Sequence, residues 1–133
     1  MKRSESRESA FLILFESLFK DEPITDLIIL AKESRNFKTD SFTVKLVKGV
    51  SEKISEIDAL IQKKSISWSI DRLSKVVLVA LRLAIYEMLF EEKIPISVSI
   101  NEAVELTKKY STQEDAAFLN GILGVVAKEL EGK

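Results

Sequence analysis

The sequence contains no cysteine and no histidine. Without cysteine there is no disulfide, no thiolate metal site and no cysteine nucleophile. Without histidine the commonest general base and the commonest metal ligand are also missing, which excludes Ser-His-Asp chemistry and most zinc or non-haem iron sites. Glycine and proline are scarce, at four and two residues in 133, and no glycine-rich cofactor segment is present. Long apolar runs are lacking too: residues 76–90 hold fifteen residues with two charges, short of the roughly 20 needed to cross a bilayer. The first residues, MKRSESRES, have no apolar core of the kind a secretory signal needs. No catalytic residue, metal or cofactor is expected, and the chain reads as cytoplasmic, with no membrane partner.

What is present is an ordinary globular composition, 46% apolar and 31% charged, long enough for one domain with a real core. The net charge of −1 is unevenly spread: residues 1–34 carry five Lys/Arg against seven Asp/Glu, residues 35–64 seven against four, and residues 65–133 eight against ten. The middle third is therefore locally basic, and Lys2, Arg3 and Arg7 add to the first turn. Either is first of all a solvated face, and secondly a surface for an anionic partner.

The chain is organised around residues 76–90, VVLVALRLAIYEMLF. At about 100° per residue, Val77, Leu81, Ile85 and Met88 fall on one flank of a helix and Val76, Val79, Leu83 and Phe90 on the other. Such a helix is packed from two sides. Between the flanks run a stripe of Lys75, Arg82 and Tyr86 and an opposite stripe of Ala80, Ala84, Glu87 and Glu91. Arg82, nearly surrounded by apolar residues, needs a carboxylate if buried, and Glu102 or Glu105 are the candidates.

Upstream, Phe11, Leu14, Phe15, Leu18 and Phe19 at helical spacing predict a first amphipathic helix. A short second helix follows over 24–31, then a polar loop over 32–38. Phe42, Leu46, Val50, Ile54, Ile57 and Ile61 predict one long third helix, with Gly49 marking a close helix-helix approach. A connector over 65–74 holds the single tryptophan, Trp68, and Ser74 is placed to cap the central helix. Pro95 punctuates that helix, and Ser99-Ile100-Asn101-Glu102 matches a capping box, predicting a helix over 100–110. Ser111/Glu114 and Thr112/Asp115 repeat the pattern ahead of a last helix. Gly121-Ile122-Leu123-Gly124 matches a GxxG, but inside a helix it reads as small residues for close packing. The expected fold is all-α, with about six or seven helices in two small bundles, 1–64 and 65–133.

Arg82-Leu83-Ala84-Ile85-Tyr86-Glu87, Ile94-Pro95, Val98, Ile100-Asn101-Glu102-Ala103-Val104-Glu105-Leu106 and Phe118-Leu119-Asn120-Gly121-Ile122-Leu123 stand in an order and spacing similar to the C-terminal half of the NusB family of transcription antitermination factors. Arg7-Glu8 with Ala10, and Gly49-Val50, resemble weaker marks of its N-terminal half. The resemblance implies a protein that pairs with the ribosomal protein NusE, binds the boxA element of nascent ribosomal RNA transcripts, and helps RNA polymerase, in an elongation complex with other Nus factors, to read through terminators. Members often carry a dense arginine cluster at the N-terminus, whereas here Lys2, Arg3 and Arg7 alternate with Glu5 and Glu8, which implies a weaker or shifted RNA footprint.

Lys2, Arg3 and Arg7 suit sequence-independent phosphate contacts, and Phe15 and Phe118 suit stacking on unpaired bases where exposed. Both rings also fit a core. The resemblance places RNA near both and points to the central helix, with Glu87 and Glu91, for NusE contact; periodicity alone reads that stripe as helix packing. Glu114 lies where the family's RNA and partner surfaces approach each other, and as a first-turn acid it also favours the helix dipole. Arg82 and Glu102 are structural candidates. Two other readings stay open: a helical protein-protein scaffold without RNA binding, and a stand-alone relative of the RNA-binding module of ribosomal RNA methyltransferases.

Overall fold

Helix is the only regular structure among residues 1–34, 36–64 and 70–132, which are those the computed structural model describes. Trp68 and the connector over 65–69 lie outside them. The chain divides into two compact units, Met1–Glu52 and Lys53–Lys133.

In the first unit, α1 (Arg3–Ser17), α2 (Ile24–Glu33) and α3 (Ser41–Glu52) pack pairwise. Ala10, Phe11 and Ile13 of α1, Leu27 and Ile28 of α2, and Leu46, Val47 and Val50 of α3 are buried, with Gly49 among them. Asp40 caps α3: its carboxylate accepts from Thr43 N at 2.8 Å and from Thr43 Oγ1 at 2.9 Å. The same carboxylate accepts from Ser6 Oγ at 2.7 Å, while Thr43 Oγ1 also lies 3.2 Å from the Ser6 carbonyl. This partly buried cluster pins the first turn of α1 to the start of α3.

Burial pushes the Asp40 carboxyl up, but the hydrogen bonds from Ser6 and then Thr43 outweigh it and hold the group below the usual carboxylate value. A carboxyl whose folded pKa is lowered adds stability above its unfolded pKa and loses it as pH falls through the folded one. Asp40→Ala, which removes the cap, should therefore be less stable by about 1 kcal/mol near neutral pH. The gap to wild type should hold above about pH 4 and narrow in thermal melts taken below it, as pH falls toward the lowered folded value.

The second unit holds α4 (Ile54–Lys64), a 3-10 turn (Ile70–Arg72), α5 (Lys75–Phe90), α6 (Ile96–Tyr110) and α7 (Gln113–Glu131). The single long helix expected over residues 42–61 is two helices that part at Lys53. Neither proline nor glycine marks the break, and the apolar spacing runs through it, but Ile54 is exposed while Ile57 and Ile61 are fully buried. Helix α4, expected in the first bundle, belongs to the second unit and packs against α5 and α7. Lys63 and Lys64 reach Glu129 of α7 at 3.5 and 3.0 Å.

Helix α5 is capped as expected, Ser74 Oγ accepting from Val77 N at 3.1 Å. It packs against α4, α6 and α7, with Val77, Val79, Leu81, Leu83 and Ile85 buried. Thr112 caps α7, accepting from Asp115 N at 3.0 Å. The capping box at Ser99 does not form. Helix α6 begins earlier, with Pro95 at its N-cap, because proline's missing N–H is not needed at a helix start and its carbonyl accepts from Val98 N at 3.0 Å. Ser99 is thereby carried inside α6 and buried. Gly121 and Gly124 do not serve close packing either, since a Cβ at either position would meet no atom within 4 Å.

Candidate nucleic-acid interface

The first turn of α1 presents its basic residues unequally. Lys2 and Arg3 are exposed, whereas Arg7 is only 3% exposed. Arg3 and Arg7 stand four residues apart on one helix face, and that face meets α3. The Arg3 guanidinium carbon lies 3.9 Å from the centroid of the Phe42 ring, and that of Arg7 lies 5.7 Å away. Of the three residues expected to hold phosphates, Arg7 is thus an interior group, its stem covering apolar surface. Lys2 and Arg3 remain on the surface, with Arg3 steadied by Phe42. Glu5 turns back onto the same turn, accepting from Lys2 N at 3.0 Å, so its negative charge stands beside these cations.

Phe42 escaped the sequence reading as anything but a core residue. Asp40 left a readable signal, an N-cap aspartate ahead of an apolar helix, whereas the stacking of Arg3 on Phe42 depends on how α1 docks and leaves none.

Phe15 is half-buried in a ladder of rings along α1, 6.1 Å from Phe11 and 5.3 Å from Phe19, centroid to centroid. Phe19, expected in the core with the rest of that face, lies past the end of the helix and is 64% exposed.

In the second unit, half-buried Phe118 lines a cavity of about 260 Å3 with Arg72, Leu73, Ser74, Val77, Glu114 and Asp115. Leu73 and Val77 form a buried apolar floor, while Arg72 and Glu114 are exposed at its mouth. Asp115 also accepts from Ser111 Oγ within the first turn of α7.

The acids named for partner contact separate as well. Glu87 is 1% exposed and accepts from Ser99 Oγ at 3.2 Å, so it links α5 to α6 instead of facing outward. Ala80 and Ala84 on the same stripe are buried with it, the small side chains admitting α6. Glu91, at the C-cap of α5, is half-buried, and Glu114 is exposed. Arg82 does find a carboxylate, but it is Asp58 of α4, bidentate at 2.8 Å for both bonds, in place of Glu102 or Glu105 of α6. Among the described residues no group of acidic side chains is placed to hold a metal ion, and no helix is long and apolar enough to cross a membrane.

Residues 4–128 match the model of the NusB family. The chain is 42% identical to a transcription antitermination protein NusB of Natranaerobius thermophilus, over 98% of this chain and 97% of that one. It is 38% identical to that of Bacillus subtilis, over 98% of both. Among solved structures, NusB of T. maritima superposes with a TM-score of 0.88 at 37% identity, over 97% of this chain and 92% of that one. A crystal structure of the antitermination factors NusB and NusE in complex with double-stranded RNA superposes its matching chain with a TM-score of 0.86 at 32% identity, over 96% of each chain.

Proposed function

The chain belongs to the NusB family, and on that premise we propose that it is a transcription antitermination factor. It binds boxA RNA of nascent ribosomal RNA transcripts together with NusE, and helps RNA polymerase and the other Nus factors to read through terminators. It does so in the cytoplasm and without catalysis, the whole chain serving as one RNA-binding module. The observation that carries this reading is the match over nearly the full length to NusB, including the NusB chain solved with NusE and RNA.

Within it, Lys2 and Arg3 hold phosphates, Phe118 and Phe15 offer rings to unpaired bases, and Arg7 acts from the interior by fixing the first turn of α1. Glu91 lies toward the NusE side, and Glu114 at the border between the partner and RNA surfaces. Glu87, Arg82 and Glu102 are structural.

Binding of labelled boxA RNA with NusE present, measured over a range of salt, tests the assignment. Each phosphate contact on single-stranded RNA contributes about 0.7 to the slope of log affinity against log salt. Replacing Lys2 and Arg3 together by glutamine should flatten the slope by about 1.4 and weaken boxA and unrelated RNA alike, because phosphate contacts carry no sequence. Adding Arg7→Gln should lower the melting temperature with little further change in slope. An unchanged slope in the Lys2/Arg3 variant would move the RNA grip elsewhere, and the absence of any RNA binding would leave the scaffold reading.

A further inference from the structure

Helices α6 and α7, joined by a short turn, pack against each other, and the seam between them opens into a groove of about 340 Å3. Asn101, Val104 and Lys108 of α6 line one wall, and Gln113, Ala117 and Asn120 of α7 the other, with buried Ala116 beneath. We propose that this groove is a docking site for an extended peptide segment of a partner protein, read through its backbone and through one carboxylate. The site is separate from RNA and NusE binding and depends on neither.

The side-chain types choose the ligand. A primary amide is a peptide group in miniature: its oxygen accepts and its nitrogen donates, so asparagine or glutamine can pair with the N–H and the C=O of a passing backbone at once. Three such amides line this groove, all at exposed positions, and no hydrogen bond among the described residues engages them. A helical segment has already paired its own N–H and C=O groups, whereas an extended one keeps them for its host. Main-chain hydrogen bonds of this kind supply the affinity for extended peptides, and nearby side chains supply the choice between them.

Length and charge narrow that choice. Asn101 and Lys108 stand seven residues apart on α6, about 10 Å along the helix, which an extended chain covers in about three residues. In an antiparallel helical hairpin, Asn120 lies at the Asn101 end and Gln113 at the Lys108 end. Among the described residues Lys108 alone brings charge to the groove. Its tie to Glu105, at 3.6 Å between two exposed side chains, is of the kind that contributes little, so an incoming carboxylate can replace it. Val104, Ala116 and Ala117 leave space between the two ends for small apolar side chains. No aromatic ring lines the groove, so a nucleobase would find no stacking surface there.

The full chain, isotope-labelled for NMR, is titrated with a blocked heptapeptide of alanine and valine around a central aspartate, and the side-chain amide signals of Asn101, Gln113 and Asn120 are followed. All three should move on one saturating curve. Esters in place of the amides about three residues to either side of the aspartate remove N–H donors and keep the chain extended. That peptide should bind about fivefold more weakly, and one with asparagine for aspartate about threefold more weakly. Lys108→Gln should erase the aspartate-over-asparagine ratio alone. Asn101→Ala combined with Asn120→Ala should erase the amide-over-ester ratio alone. Both asparagines are exposed and alanine is the better helix former, so the melting temperature of that variant should not fall.

Signals that stay still up to millimolar peptide, or ratios that survive in both variants, would overturn the site. Release of the bound peptide by NusE would assign the groove to the NusE contact, and release by oligouridine RNA would assign it to RNA; either would overturn a separate peptide site. The titration contains neither boxA RNA nor NusE, so failure of the proposed function would leave its outcome standing.

Discussion

Replacing Glu87 by lysine should cost about 3 to 5 kcal/mol of stability, the range found when a buried charge loses its partner. Glu87 is 1% exposed and held by Ser99 Oγ at 3.2 Å between α5 and α6. A lysine there would remove the acceptor that Ser99 donates to and bring a cation into the interior, where Ser99 offers it no carboxylate. Glu87→Gln, which keeps an acceptor for Ser99, should cost far less. Urea unfolding followed by circular dichroism separates the two, the lysine variant moving its midpoint well below that of the glutamine variant. A lysine variant that unfolds like wild type and binds NusE more weakly would place Glu87 on the partner surface after all.

Leu81→Ala should cost about 2 to 5 kcal/mol, the transfer free energy of the lost methyl groups plus the cavity they leave. Leu81 is fully buried at the middle of α5, which is packed against α4, α6 and α7. A domain of this size is stable by only about 5 to 15 kcal/mol, so this one truncation removes a large share. The same measurement on Val125→Ala, an exposed position of α7, should show almost no change. Equal midpoints for Leu81→Ala and wild type would contradict the packing described for α5.

Local chemistry was legible in the sequence wherever one segment decides the outcome. The two apolar flanks of residues 76–90 predict burial on both sides, and Val77, Leu81 and Ile85 on one and Val79 and Leu83 on the other are buried, while Phe90 at the end of its flank is exposed and the Ala80, Ala84 and Glu87 stripe is buried as well. Ser74 and Thr112 predict caps, and both accept the amide three residues on. Where two segments must dock before the outcome exists, the sequence was silent or misleading. Arg82 announced its need for a carboxylate but not that α4 would bring Asp58. Arg3 and Arg7 read alike as surface cations until α3 placed Phe42 beneath them and buried one of the two.

Competing local signals account for other differences. Pro95, read only as the end of the central helix, in fact starts α6 ahead of the expected Ser99, and the earlier start gives a longer helix that buries Ser99 against Glu87. The break at Lys53 has no local mark at all. It becomes visible in which isoleucines are buried, since Ile57 and Ile61 serve the second unit and Ile54 is left exposed. The cavity beside Phe118 was half legible: Phe118 and Glu114 were singled out and Asp115 lies beside them on the same helix, while Arg72 joins them only through the packing of the second unit.

The most direct test of the antitermination role is transcription in vitro from a template carrying boxA ahead of a terminator, with RNA polymerase, NusE and the other Nus factors supplied and this protein added or withheld. Adding the protein should raise the fraction of full-length transcript, deleting boxA should abolish the rise, and the Lys2/Arg3 double variant should reduce it. A full-length fraction that does not respond to the protein, or that rises equally without boxA, would contradict that role.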